Sequence, residues 1–411
     1  MSRLQRPALL AFFAVTVFLV AWALLHTGFW ARDEISDVPL YREYGERIAD
    51  GAVPYRDVAL EYPPGALPVF VAPAAAGDAD GYRGLFEALM WVCGAGLLLA
   101  LAGALVTLGR RGVELAAPLL LAAAAPLALG SVVLSRFDLF PAALTTAALA
   151  AVLAGRERLG LGVLGLAVAA KVYPAVLVPL LLVHVWRRRG RREALLGAGA
   201  FAGVAAACFL PFVVLAPGGV WDAFSVHAAR GLQIESLGAA FLLAVHQLGG
   251  VGLTAETSAG SQNLVGSGPD ALAAIQTAVQ VVAVVGIWVA FARAEVDRER
   301  LVRYSAAAVC AFVALGKVLS PQFLIWLVPL VLLVGGRRGH AAWALLGGAA
   351  VLTQIWFPYR YWSLVLDLDP AASWLVLARD VVLLGLVAVL VASRRQPAEA
   401  PATAALSAGR A

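Results

Sequence analysis

Residues 7–29 read PALLAFFAVTVFLVAWALLHTGF, with Arg3 and Arg6 just before them. The apolar core of a cleaved signal peptide runs about 7–15 residues, so this stretch is too long to be one. As a helix it is long enough to cross a hydrocarbon core of about 30 Å. It is expected to stay in the membrane as a first span. Working outward on length and flanks, further spans fall near 86–108, 114–134, 139–154, 159–170, 172–186, 194–216, 271–292, 304–319, 321–335, 341–357 and 374–393, which makes twelve. The composition agrees: 62% hydrophobic residues, 14% charged residues and a mean hydropathy of +0.85 over 411 residues exclude a soluble domain. The expected fold class is all-α, a polytopic membrane helix bundle.

A net charge of +5 and a pI near 9.3 would suit a nucleic-acid partner, but the basic residues fall in short clusters between apolar runs. No nucleic-acid partner is expected. With twelve crossings, Arg110–Arg111, Arg156 and Arg158, the runs 187–192 and 293–303, Arg337–Arg338 and Arg394–Arg395 all fall on one side together with both termini. The positive-inside rule makes that side cytoplasmic. An even count requires that 237–253, LGAAFLLAVHQLGGVGL, not cross; its length suits a re-entrant or interfacial helix. Cys93, Cys208 and Cys310 lie inside apolar spans and give neither a disulfide framework nor a metal-ligand spacing.

The polar stretch 30–87 then lies outside. It reads DEISDVPLYREYGERIADGAVPYRDVALEYPPGALPVF over 33–70 and carries eleven of the chain's 26 acidic residues. Val38, Tyr41, Tyr44 and Ile48 recur at helical spacing and Gly51 follows as a stop signal, which predicts a short amphipathic helix on the membrane. Asp37 precedes it with Pro39 in the first turn, so it reads equally as an N-cap and as a catalytic carboxylate. After the helix, VPYRDVALEYPPGALP is proline-punctuated extended chain. Its Tyr55, Glu61 and Tyr62 either face a sugar or brace the loop.

Four spans, 159–170, 172–186, 304–319 and 321–335, are short and come as two pairs with polar or proline joints. Irregular backbone at membrane depth survives only where it lines a cavity or is buried in protein, so the joints are expected to open on a substrate cavity. They carry the chain's only two lysines, Lys171 in AAKVYPAVLVPL and Lys317 in LGKVLSPQFLIWLVPL. Each alone reads as a residue snorkelling to the interface. Together they read as two arms around a bound anion, a lipid phosphate at this depth. Other polar residues fall on the same side: Arg136 and Asp138 in SRFD, His227, Arg230, Gln233 and Glu235 in WDAFSVHAARGLQIES, and Arg360 in FPYRYW. Arg136 with Asp138 is either a self-satisfied ion pair or a ligand contact, and Arg360 among aromatics has the make-up of an interface anchor.

The ordered combination Asp37-VPLY, Gly51-AVPY, Glu61-YPP, RFD at 136–138, AKVYP at 170–174, RGLQIES at 230–236 and KVLSPQFLIW at 317–326 resembles glycosyltransferase family 87, polytopic GT-C enzymes that include polyprenyl-phosphomannose-dependent mannosyltransferases. The resemblance runs from residue 7 to about 393. It implies a GT-C bundle over residues 1–395, a polyprenyl-phosphate-linked sugar donor, transfer of mannose to a cell-envelope glycolipid or glycan acceptor at the outer face, and a catalytic Asp in the first outer loop. That Asp best matches Asp37, with Asp33 and Glu34 close by. Lys171, Lys317, Arg136 and Arg230 are then expected on the donor phosphate. Tyr41, Tyr55, Glu61, Tyr62, Asp138, Tyr173, His227, Gln233, Gln322 and Arg360 are expected around the substrates. A single displacement inverts the anomeric centre, with Asp37 as general base. No cofactor and no obligatory metal is expected, although Asp33, Glu34 and Asp37 are close enough in sequence to hold a divalent ion. Residues 396–411, QPAEAPATAALSAGRA, are expected as a disordered cytoplasmic tail. The competing class is a secondary transporter or lipid flippase, which would share cavity, broken helices and buried cations; a non-catalytic scaffold is a third reading.

Overall fold

The structure, a computed structural model, describes residues 5–392, so the expected tail at 396–411 lies outside the described residues. It is helical almost throughout. The first helix, α1 (Gln5–Leu24), leads into the long polar loop, which holds α2 (Val38–Ala49) and α3 (Leu67–Val71). Asp78 ends that loop, its carboxylate accepting the Gly81 N–H at 2.8 Å as the N-cap of α4 (Ala79–Thr107). Then follow α5 (Val113–Leu129), the stub α6 (Val132–Ser135), α7 (Leu139–Leu153), α8 (Glu157–Ala170), α9 (Val178–Arg189) and α10 (Arg191–Leu215). A second polar region holds α11 (Pro217–Ala229), β1 (Leu232–Gln233), α12 (Leu237–Gly249), β2 (Thr254–Ser258) and β3 (Ser261–Val265). The chain closes with α13 (Ser267–Arg293), α14 (Arg298–Ala314), α15 (Phe323–Leu332), α16 (Gly336–Trp356), α17 (Tyr361–Asp367) and α18 (Pro370–Val391).

A helix stands at each of the twelve expected spans, but their lengths divide them. Five helices, α1, α4, α10, α13 and α18, are long and apolar enough to cross unaided, and α16 joins α17 in a bent pair at 68°. The other six, α5, α7, α8, α9, α14 and α15, have 10 to 17 residues and reach only about 15–26 Å. Boundaries shift for local reasons. The span expected at 114–134 stops at Leu129, because Gly130 adopts φ +71 and the backbone turns before α6. The span expected at 304–319 stops at Ala314, short of Gly316 and Pro321. The stretch 237–253 is a 13-residue helix followed by a hairpin, too short to cross. Four features have no counterpart in the sequence reading: α3, which begins where extended chain was expected; α11, opened by Pro217; α17; and the small antiparallel sheet of order β1-β3-β2. Its hairpin turns on Ala259 and Gly260, both at positive φ (49° and 68°), the geometry of a type I′ turn.

The arginine clusters meet at one end of the bundle. Arg110 pairs with Glu299, Arg158 with Glu193 and Arg189 with Glu157, at 2.6 to 2.8 Å. Arg187 donates to the Ala292 carbonyl, and Arg303 and Arg338 to that of Ala392. The long loop lies at the other end, tied by Arg83 to Glu34 and Glu87 and by Tyr359 to the Phe29 carbonyl.

Candidate active site

At the loop end α2 is amphipathic, burying Val38, Tyr41 and Tyr44. Asp37 occupies the position before it but caps nothing with its side chain; the Val38 N–H goes to Ser36 Oγ at 3.2 Å instead. The Asp37 carboxylate turns to Arg136, whose Nη1 lies 2.6 Å from Oδ1, while Oδ2 accepts a long hydrogen bond of 3.4 Å from Tyr41. Arg136 is buried, with no N–H aimed along that contact and no partner for Nε, so its guanidinium keeps unused donors. Tyr41 stacks on Phe70 at 4.5 Å, and Tyr62 meets Phe137 edge-on at 5.1 Å. Burial, then the neighbouring tyrosine and Asp37, push the Tyr41 hydroxyl well up, so it stays an O–H donor.

Beside this wall lies a cavity of about 370 Å³ lined by both joints, by α11 and by the extended chain of the loop. Gly65 sets the approach: a Cβ there would sit 2.6 Å from the Ala169 carbonyl carbon, so only glycine lets the loop backbone reach the end of α8. Lys317, Arg230 and Lys171 reach the cavity with His227, Gln322, Tyr55, Tyr62 and Tyr173, and apolar side chains including Val220, Phe224 and Phe312 complete the lining. Glu61 is the only carboxylate in its lining.

The two lysines, alike in sequence, differ electrostatically. Lys317 Nζ donates to the Ala228 carbonyl at 2.9 Å and pairs with no described carboxylate. Lys171 Nζ is bound to Asp138 Oδ1 at 2.6 Å, lies over the Phe137 ring at 4.6 Å, and shares Oδ1 with Trp326 Nε1, also at 2.6 Å. Asp138 is fully buried behind that lysine, its Oδ2 without a partner. Tyr173 stacks on Trp326 at 4.0 Å and donates to Thr145 Oγ1 at 3.1 Å.

Arg230 pairs with Glu61 at 3.3 Å and keeps a free Nε. His227 Nε2 meets the Glu61 carbonyl at 2.6 Å, which makes Nε2 the protonated nitrogen, and burial holds the ring below its ordinary value, so it is neutral near pH 7. Tyr55, at φ +68, donates to the Tyr62 carbonyl at 2.7 Å.

The remaining expected residues stand apart from the cavity. Asp37, Arg136, Asp138 and Tyr41 are outside its lining. Gln233 is buried and braces the second joint: its N–H donates to the Lys317 carbonyl and its amide to Ser320 Oγ and Glu235 Oε2. Arg360 is half-exposed at the α16–α17 bend, 3.8 Å from Asp369, as suits an interface anchor. Glu34 and Asp37 diverge to Arg83 and Arg136, and among the described residues no three His, Cys, Asp or Glu side chains gather as a metal set. Sequence reading missed Trp326, although Phe323 and Trp326 share a helix face at i, i+3.

The family model described as Glycosyltransferase family 87 matches residues 60–321, well over half of the chain. The structure is similar to the crystal structure of ArnT from Cupriavidus metallidurans bound to undecaprenyl phosphate, with a TM-score of 0.50 and 15% identity, over 95% of this chain and 77% of that one. At that identity the likeness speaks for fold, a multi-pass GT-C bundle. A search among curated proteins finds no match.

Proposed function

The chain belongs to glycosyltransferase family 87, and from that premise we propose that it moves a sugar, mannose in the first instance, from a polyprenyl-phosphate carrier to a cell-envelope glycolipid or glycan. Membership in a transferase family sets aside the transporter and scaffold readings. The observation that carries the donor class is the cavity: the uncompensated Lys317 and the half-engaged Arg230 share its lining with Val220, Phe224 and Phe312, which suits a phosphate joined to a hydrocarbon chain. The lipid phosphate bound to ArnT belongs to the same chemical class.

In the proposed step the acceptor hydroxyl attacks the anomeric carbon, the bond from that carbon to the phosphate oxygen breaks, and the configuration inverts. The electron pair leaves on the phosphate, where Lys317 and Arg230 offset the growing charge. Asp37 takes the hydroxyl proton: Arg136 lies 2.6 Å from its Oδ1, and Oδ2, held only by the long Tyr41 contact, is the oxygen left to accept it, from a position outside the cavity lining. Glu61 is the second reading for the base, because it lines the cavity and falls inside the matched residues while Asp37 does neither. No metal takes part in this scheme. The arginine end faces the cytoplasm with both termini, and the cavity opens on the outer face.

The test is incubation of purified protein with radiolabelled polyprenyl-phosphosugars, mannose and pentoses included, plus cell-envelope lipids. A labelled lipid or glycan product is expected, undiminished by chelator. No product from any polyprenyl donor would remove the donor assignment.

A further inference from the structure

At the arginine end, far from the loop, two cavities adjoin. One of about 260 Å³ is lined by Arg300, Arg303, Arg337 and Arg338 with Asp297 and Glu299. The other, about 130 Å³, is mainly apolar, with Leu105 of α4, Val113 of α5, Leu332 and Leu333 at the end of α15 and Trp343 of α16, and it also touches Arg110, Glu114 and His340. Gly335 and Gly336 line both. A Cβ on Gly335 would sit 2.6 Å from Arg110 Cζ, so glycine keeps the partition thin.

The charges in the first cavity do not cancel. Glu299 is taken by Arg110 at 2.6 Å, and Asp297 caps α14 by accepting the Arg300 N–H at 2.6 Å. None of the four lining arginines forms an ion pair with a described residue. Their recorded partners are neutral carbonyls: Glu295 for Arg300, Leu390 and Ala392 for Arg303, and Ala392 for Arg338. Elsewhere at this end Arg158 and Arg189 do have carboxylates, whereas Arg187 has only a carbonyl; what sets this hollow apart is that four arginines without a carboxylate line one cavity. Guanidinium forks around a cavity suit a phosphate. Hydrocarbon suits the slot one glycine away, which opens outward at Val113, 80% exposed.

We propose that this end binds an anionic phospholipid, its phosphate among Arg303, Arg337 and Arg338 and a length of acyl chain in the slot of Val113, Leu333 and Trp343. The site stands independently of the sugar-transfer reading. A basic pocket between helices adjoining hydrocarbon is the arrangement that selects acidic headgroups.

The experiment titrates the full-length purified protein in one detergent with phosphatidylglycerol, phosphatidylcholine and glycerol 3-phosphate, reading bound lipid by native mass spectrometry. Phosphatidylglycerol is expected to bind at least about tenfold tighter than phosphatidylcholine, with glycerol 3-phosphate silent at the same concentration. Arg337→Gln, at an exposed arginine with no recorded partner, is expected to weaken phosphatidylglycerol about fivefold, as for loss of one basic residue at an anionic headgroup. Ala117→Phe fills the slot and leaves every arginine in place, so it too is expected to lower phosphatidylglycerol binding. Equal binding of the two lipids, or glycerol 3-phosphate binding as tightly as phosphatidylglycerol, would overturn the proposal. So would unchanged affinity in both variants while their melting temperatures match the parent.

Discussion

Lys171→Ala and Lys317→Ala should fail in different ways. Removing Lys171 leaves the Asp138 carboxylate, 1% exposed, with the Trp326 N–H alone on Oδ1 and nothing on Oδ2. Breaking a buried pair from one side costs about 3–5 kcal/mol, because an uncompensated charge stays behind. Lys171 retains 17% exposure, so the lower end, about 3 kcal/mol, applies. Removing Lys317 frees only the Ala228 carbonyl, about 0.5–1.5 kcal/mol in stability. Its loss should show in donor binding, where one charge-assisted contact of about 1.5–3 kcal/mol corresponds to roughly 10- to 100-fold. Thermal unfolding in a single detergent and titration with a polyprenyl phosphate separate the two. Lys171→Ala should melt well below the parent, and adding Asp138→Asn should recover most of the difference by removing the stranded charge. If Lys171→Ala melts with the parent, or the double variant melts no higher than Lys171→Ala, the buried pair does not hold this joint. If Lys317→Ala keeps parental affinity, that lysine is an interface anchor.

Asp37→Asn should cut turnover by about 10² or more with donor binding retained, since no cap is lost and the amide oxygen can still accept from Tyr41; turnover within a few-fold of the parent, together with a large loss in Glu61→Gln, would transfer the base to Glu61. Burial raises Glu235, in the loop before α12, to about 8. The folded state therefore holds a proton there that the unfolded state releases near pH 4.5, so stability should fall as pH rises from about 4.5 to 8, and Glu235→Gln should flatten that slope in melting curves. A cysteine at Asp57 should react with an impermeant reagent in intact cells; labelling only after the cytoplasmic face is opened would invert the orientation and with it the outer-face site.

The long helices were legible because a run of apolar residues in hydrocarbon leaves the backbone no other way to satisfy its hydrogen bonds. Joints at Lys171 and Lys317 were legible for the converse reason, as polar residues where apolar ones should continue. The difference between those lysines was not, since Asp138 lies 33 residues from Lys171 and only the packing of α7 on α8 brings them together. Asp37 shows the same limit: its place before Pro39 signals a cap, yet Arg136, nearly a hundred positions on, takes the carboxylate. Gln233 sat in a polar run that suggested ligand contact, and its amide is spent on Ser320 and Glu235. The hairpin at 259–260 escaped because Ala-Gly is a weak turn signal beside Asn-Gly.

The cross-links at the arginine end work as a handle holds the tines of a fork. Guanidinium groups from α9, α14 and α16 grip carbonyls at the ends of α13 and α18, and Arg110 ties the end of α4 to the start of α14, so helix ends there cannot part without breaking several bonds at once. The opposite ends rest on short helices, irregular joints and a two-residue turn, where local opening is cheapest. Spreading of the bundle is thus expected first at the loop end. On the proposed donor class, a long lipid carrier and its spent phosphate would then pass through one mouth in turn, entry of the next waiting on departure of the last.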